Sequence, residues 1–472
     1  MTEIIPGLNL SLLEILTLLS AVTLVVARWL PALARRRGAI AAGVVFLPSA
    51  IALAVTGIRW QLLPVLAGAM LAFLPLARNR PRRIRLALPG SLACFALIAT
   101  GPVTAWAFPV PGFPAPSGGF AVGTRVLQWT DPNRPETFTA DPQDRRTVVA
   151  QLWYPARDSA DAPRAQYLGR TTDEARTVAE ALARGVGLPG FLLDDVPRAR
   201  THAIPDAPAA SEGGRFPIVL FSPGSSGVRT QNTAWAEELA SHGYVVAALD
   251  HPYDSAAVVL ADGRTITTAT VSTGDRDEDN RLGETWTAIR AADLSFALTQ
   301  LEALNQGGSD PLAGRLDTSR VAATGHSMGG AAALQAARQD HRIAAVVDLD
   351  GYPRGPLSPA LDQPTLALTQ AVTPATDPRY LPQLTEVLAR GTATNYRLTL
   401  PGAAHLTFTD GPLYLPPVPS ITGSLGRAES PHVVAAATLV FLDSVLRNGS
   451  GDVAGVLAGY GEVRVFSPGH NR

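Results

Sequence analysis

Residues 321–330 read VAATGHSMGG, and residues 331–337 continue as AAALQAA. The apolar run predicts a buried strand, and the alanine-rich continuation predicts a helix. Between them stands G-x-S-x-G, the pattern of a sharp strand-to-helix turn with a serine at its tip. Gly325 and Gly329 let the backbone turn there without a Cβ clash. The helix start behind Ser327 offers unpaired N–H groups and a positive dipole end, both of which favour a developing negative charge. The pattern occurs once in the chain, so Ser327 is the candidate nucleophile.

Outward from this turn, short β-branched runs alternate with helical patterns, which predicts a mostly parallel sheet covered by helices, an α/β domain. Strands are expected at 124–130, 147–154, 217–221, 244–249, 321–324, 343–349, 365–369 and 396–400, and helices at 233–241, 285–304, 329–338 and 432–447. Residues 167–204 are helix-like but broken by proline, and read as a cap inserted between two strands.

A serine nucleophile needs a base oriented by an acid. Where this turn carries catalysis, the acid and then the histidine follow the serine in the chain. His405, in LTLPGAAHLTF (398–408), stands on a small-residue turn after a strand and is the candidate base. His432 opens a helical pattern and His470 lies in a polar tail, while His242, His251 and His341 read as structural. For the acid, Asp350 ends the strand IAAVVDLDG beside Gly351, with Asp348 two residues deeper and Asp377 beyond the next strand. Asp350 is preferred, because a residue at a strand end leans over the sheet edge. Two N–H donors must meet the oxyanion. Met328 supplies one, and the glycine-rich loop of PIVLFSPGSSG (217–227) supplies the other through Ser225.

The 472 residues carry a net charge of −1 and a mean hydropathy of +0.13. All 39 basic residues are arginine. Cys94 is the single cysteine, which excludes an internal disulfide and a multi-cysteine zinc site. The charge is unevenly spread. The first 108 residues hold 10 arginines against Glu3 and Glu14, whereas the remainder holds 29 against 38 acids. That acidic remainder has no basic stripe to follow a phosphate backbone, so nucleic acid is not an expected partner.

Four apolar stretches, 8–27, 39–58, 61–77 and 84–108, fill the basic part and approach the ~20 residues a membrane-crossing helix needs. Arg28, Arg35, Arg36 and Arg37 separate the first two stretches. Arg78, Arg80, Arg82, Arg83 and Arg85 separate the last two, but only Arg59 lies in the middle turn. The positive-inside rule then predicts a multi-pass cell-membrane protein with both termini, and the acidic half, outside the cytoplasm. Glu14, near the outer end of its stretch, is expected to reach the interface. The run FPVPGFPAPSGGFAVG (108–123) reads as a spacer, giving a transmembrane region 1–108, a linker 109–123 and an α/β domain 124–472.

Four segments together resemble the platelet-activating factor acetylhydrolase family of α/β-hydrolases: FPIVLFSPGSSGVRTQNTAWAEELASHGYVVAALDHP (216–252), GHSMGG (325–330), DLDGYP (348–353) and PGAAHLTF (401–408). The resemblance spans roughly residues 120–447 and leaves out the apolar stretches. It implies Ser327 as nucleophile, His405 as base, Asp350 as acid, and Ser225 and Met328 as oxyanion donors. Pro223 departs from the family, which commonly has histidine there. The implied activity is a serine esterase, with no cofactor or metal, acting on short or modified acyl groups of phospholipids. A general carboxylesterase or polyester hydrolase would use the same residues. A membrane protein whose hydrolase-like domain only binds a ligand is the non-enzymatic alternative.

Overall fold

The computed structural model describes residues 10–77, 84–159, 161–270, 273–308, 310–355, 357–373 and 377–468. The chain divides into two compact units. The first comprises Met1–Pro111 with Phe191–Asp195 and Tyr414–Pro416; the second comprises Gly112–Gly190, Val196–Leu413 and Pro417–Arg472.

Helices α1 (Leu12–Ala27), α2 (Ala32–Thr56), α3 (Leu63–Ala77) and α4 (Ile84–Ala107) build the first unit. Helices α3 and α4 approach closely through glycine. A Cβ at Gly68 would lie 3.0 Å from the Cys94 carbonyl oxygen, and one at Gly101 would enter the Val65 side chain. Glu14 closes a capping box with Ser11 at the start of α1, its Oε2 accepting from the Ser11 N–H at 2.6 Å. It is buried and pairs with Arg59 at 3.6 Å, so an ion pair and a helix cap, not the interface, satisfy this carboxylate.

Two of the expected spans fall in helices long and apolar enough to cross a membrane, Ala32–Thr56 and Leu88–Ala107. The other two hold shorter apolar helices, α1 with 16 residues and α3 with 15. At 1.5 Å per residue these are ~24 and ~22 Å long, short of the ~30 Å hydrocarbon layer. Arg35, Arg36 and Arg37 lie inside α2 and not in a loop, because unbranched arginine is a good helix former. The N-terminal tail 1–9, with Glu3, the arginine-rich loop 78–83 and His470 lie outside the described residues.

The second unit runs β1 (Ala121–Pro135), β2 (Arg145–Ala156), α5 (Thr172–Gly185), β3 (Ile204–Pro205), β4 (Phe216–Ser222), α6 (Thr233–Ser241) and β5 (Val245–Asp250). A two-stranded β6 (Ala257–Val259) and β7 (Thr265–Thr267) precedes α7 (Arg276–Gln306), β8 (Leu316–His326), α8 (Met328–Gln339) and β9 (Ala345–Leu349). Then come β10 (Thr365–Gln370), α9 (Tyr380–Arg390), β11 (Asn395–Leu400), α10 (Glu429–Leu446) and β12 (Glu462–Phe466). Among the described residues, ten strands form one sheet in the order β12-β11-β10-β9-β8-β4-β5-β2-β1-β3. The run from β11 through β8 and β4 to β5 is parallel, whereas β2 and β12 pair antiparallel at either side.

Strand alternation divides the core between the two sheet faces. Ile218, Leu220, Ala247 and Ala323 pack against Leu294 and Leu298 of α7 and Ala333 of α8. Val219, Phe221, Val246 and Val347 pack on the other face against Trp235 and Leu239 of α6 and Phe441 and Leu442 of α10. Helix α10 also has the length and hydropathy of a membrane span, but this packing buries its apolar face in the domain core. The proline- and glycine-rich segment before β1 is tied down: the Ser117 N–H donates to Glu238 at 2.8 Å and the Gly118 N–H to the Ser241 hydroxyl at 3.0 Å.

Candidate active site

After β4 the chain runs to β5 on one side and later returns to β8 on the other, so the order of the parallel strands reverses between β4 and β8. Loops leaving the carboxyl ends of such neighbours open a crevice. These two loops are 223–227 and the turn at Ser327. Ser327 stands between β8 and α8 with φ +56° and ψ −120°, a strained conformation for a residue with a side chain. Close packing enforces it. A Cβ at Gly329 would fall on the Ser222 carbonyl and one at Gly325 on the Gly329 backbone, so neither position admits a larger residue.

Asp350 directly follows β9, also at positive φ (+53°), and is almost fully buried. Its Oδ2 lies 2.6 Å from His405 Nδ1. The Gln370 backbone N–H (3.0 Å) and Tyr380 hydroxyl (3.0 Å) donate to Oδ1, and the Gln370 side-chain amide (2.8 Å) donates to Oδ2. Burial opposes the charge, but these donors, His405 foremost, hold the carboxyl below the usual carboxylate range. An ionised Asp350 assigns the His405 proton to Nδ1 and leaves Nε2 as a base. Asp348 behaves oppositely. Burial, reinforced by the Asp350 charge, pushes its pKa far up, and its Oδ1 accepts from the Gly351 N–H at 2.9 Å. Asp377 pairs with Arg379 at 3.0 Å and does not reach His405.

His326, next to the serine, joins the site's loops together. Its Nε2 donates to the His405 carbonyl at 3.0 Å, and its Nδ1 accepts from the Gln231 amide at 3.0 Å. Burial, with His405 alongside, lowers its pKa to about 3, so the ring is neutral. The Ser225 and Met328 N–H groups have no hydrogen-bond partner among the described residues, and neither residue is buried. Behind them, Ser222, His251 and Asp293 form a second Ser–His–Asp chain with contacts of 2.9 and 2.8 Å. All three residues are completely buried, and burial holds His251 neutral with a pKa of about 4. This second chain braces the sheet and has no access to a substrate.

A pocket of about 350 Å³ is lined by Ser327, Asp350, Tyr352, Tyr380 and His405, with Gln370, Thr373, Asp377 and Ser420. The Ser327 hydroxyl faces it without a hydrogen bond among the described residues. Residues 167–204 contribute nothing to this lining. Instead, Glu174 of α5 reaches Arg229 at 2.7 Å, and Arg229 also pairs with Asp250, fixing the chain just beyond the 223–227 loop. His432 is exposed, and His242 pairs with Glu238. No cluster able to hold a metal occurs among the described residues.

Residues 107–447 match the family described as platelet-activating factor acetylhydrolase, isoform II, over most of the chain. The chain belongs to this family. Among relatives of the platelet-activating factor acetylhydrolases, a probable 1-alkyl-2-acetylglycerophosphocholine esterase of Arthroderma benhamiae is 29% identical over 244 residues, half of this chain and 58% of that protein. A platelet-activating factor acetylhydrolase of Cavia porcellus is 30% identical over 158 residues, 30% of this chain and 36% of that protein. The chain thus spans between about a third and three-fifths of these relatives' own length. A ferulic acid esterase from Streptomyces cinnamoneus superposes with a TM-score of 0.60 at 27% identity, covering 75% of this chain and 99% of that one. All are ester hydrolases by name. In this member of the acetylhydrolase family, Gln370, Tyr380, Gln231 and His326 enter the site without having been singled out in the sequence. Gln370 directly ends β10, and only the His326 position beside the serine carried a local hint.

Proposed function

We propose that this protein is a serine carboxylic ester hydrolase acting on short or modified acyl groups of phospholipids. The observation that carries the reading is the strained Ser327 sharing one pocket with His405, whose Nδ1 is held 2.6 Å from Asp350. Ser327 Oγ attacks the ester carbonyl carbon while His405 Nε2 takes its proton. The carbonyl oxygen becomes an oxyanion facing the N–H groups of Ser225 and Met328. Collapse breaks the bond to the alcohol oxygen, which leaves with the proton from His405. Water then attacks the acyl-serine, giving a proton to His405; collapse breaks the bond to Ser327 Oγ, which takes that proton back from His405 as the acid is released. Asp350 keeps the imidazole in the required tautomer and stabilises its cation.

A lipid substrate is supported by exposed apolar side chains that neighbour lining residues in the chain, Val372 next to Thr373, and Val418 and Ile421 flanking Ser420, a composition suited to acyl chains. The apolar helices of the first unit would anchor the enzyme in a cell membrane, with the catalytic unit outside the cytoplasm on the arginine pattern. A second reading, a hydrolase of aromatic or polymeric esters, draws on the Tyr352 and Tyr380 walls and the ferulic acid esterase likeness. Hydrolysis of p-nitrophenyl esters of graded chain length, against micellar acetylated phospholipid and methyl ferulate, separates the two. Preference for the phospholipid supports the first, and preference for ferulate the second.

A further inference from the structure

The fully buried guanidinium of Arg290, on α7, faces the loop that follows β4. It donates to the Pro223 carbonyl, to the Gly224 carbonyl at 3.0 Å and to the Ser222 hydroxyl at 3.3 Å, while Asp254 anchors its Nε at 2.5 Å. From another side, the Gln231 side-chain oxygen accepts from the Gly224 N–H at 3.2 Å. A peptide unit is planar, and its C=O and N–H point in opposite directions. The Pro223–Gly224 unit is therefore held at both ends, its oxygen by Arg290 and its N–H by Gln231. In the next unit Arg290 holds the Gly224 oxygen, which turns the Ser225 N–H directly away from the guanidinium, towards the open side of the loop. Ser225 is exposed there, and its N–H meets no partner among the described residues.

We propose that Arg290 and Gln231 are positioning residues that set these two peptide planes and thereby aim the Ser225 N–H at the oxyanion. The inference rests on the reading of Ser225 and Met328 as the oxyanion donors. Its physical basis is preorganisation. A flexible glycine-rich loop would otherwise have to reorient its N–H during each reaction, and a donor fixed beforehand costs no reorganisation. Gly224 is required by the same arrangement, since a Cβ there would lie 2.9 Å from His326 Nδ1. Gly227 is required because a Cβ would strike the Gln231 side-chain oxygen. Arginine suits the task better than lysine, because its planar fork reaches two carbonyls and a carboxylate at once.

The test uses the full-length protein in detergent with p-nitrophenyl acetate, comparing Arg290→Lys, Gln231→Met and Ser327→Ala with the wild type. Losing one oxyanion donor typically costs ~10²–10³ in kcat. Arg290→Lys should approach that loss, and Gln231→Met should lose about tenfold or more, each with KM within about twofold. Affinity for a trifluoromethyl ketone, which forms a tetrahedral adduct on the serine, should fall in step with kcat/KM. A merely structural role would not produce that parallel. A folded variant of either kind with kcat within threefold of wild type and unchanged ketone affinity overturns the proposal. If Arg290→Lys does not fold, Gln231→Met, at a half-buried side chain, decides by the same criterion. Undiminished hydrolysis by Ser327→Ala is a different result, since it overturns the underlying reading of the site.

Discussion

Replacing Asp350 with asparagine keeps the size of the side chain and removes its charge. The carboxylate accepts hydrogen bonds at four points, from His405, Gln370 twice and Tyr380. The Oδ2 position is decisive, because it faces two donors at once, His405 Nδ1 and the Gln370 amide. An asparagine NH₂ placed there opposes both, and His405 satisfies it only by moving its proton to Nε2. That tautomer cannot accept the serine proton, and making a triad acid neutral in this way lowers kcat by ~10⁴, or roughly 5 kcal/mol in the barrier. Asp377 lines the same pocket but is paired with Arg379. Asp377→Asn should therefore change kcat by less than about tenfold, on the order of 1.4 kcal/mol. Steady-state hydrolysis of one short-chain ester by both variants, each checked for an unchanged unfolding midpoint, ranks them. The reverse ranking would refute the assignment of the acid and move it beyond the later strand.

Tyr380→Phe removes one donor to Asp350 and nothing else from that carboxylate. A hydrogen bond to a charged group contributes ~1.5–3 kcal/mol, so turnover should fall about tenfold or more; full activity would show that the contact is idle. His251 is fully buried and its pKa is lowered to about 4 by burial, against an ordinary value of 6.5. As pH falls from 6.5 the unfolded chain takes up the proton first, so this histidine's contribution is intact above that pH and is lost towards pH 4. The loss amounts to about 3 kcal/mol. Denaturant unfolding of wild type against His251→Gln should converge by that amount over the interval, and parallel curves would contradict it. For the membrane reading, alkaline phosphatase fused after Arg472 should be active and a cytoplasm-only reporter silent. The opposite pattern would place the catalytic unit inside.

The sequence pointed to the centre of the fold more clearly than to its margins. The strand before Ser327 and the helix α6 are legible because apolar alternation and helix periodicity are strong there. The β6–β7 pair and β12 are partly exposed strands of three to five residues, so the alternation in TIT and EVRVF is too brief to stand out. Helix α7 begins well before its apolar face, in the polar run RDEDNRLGE, where the Asp275 cap and acidic first turn do the work. Ser327, Asp350 and His405 announce themselves through turn chemistry at strand ends. Tyr380 and Arg290 do not, because each acts on residues 30 or more positions away and neither sits in a local pattern. The expected spans show the same limit. Hydropathy located the apolar segments, but the length of α1 is set by its caps, the Ser11–Glu14 capping box at one end and Arg28 at the other.

Fluorophosphonate labelling of the purified protein, with the modified residue located by peptide mass analysis, decides whether Ser327 is the nucleophile. One adduct is expected, on Ser327, formed in proportion to the loss of esterase activity and absent from a normally folded Ser327→Ala variant. An adduct on another serine, or full esterase activity remaining in Ser327→Ala, would contradict it.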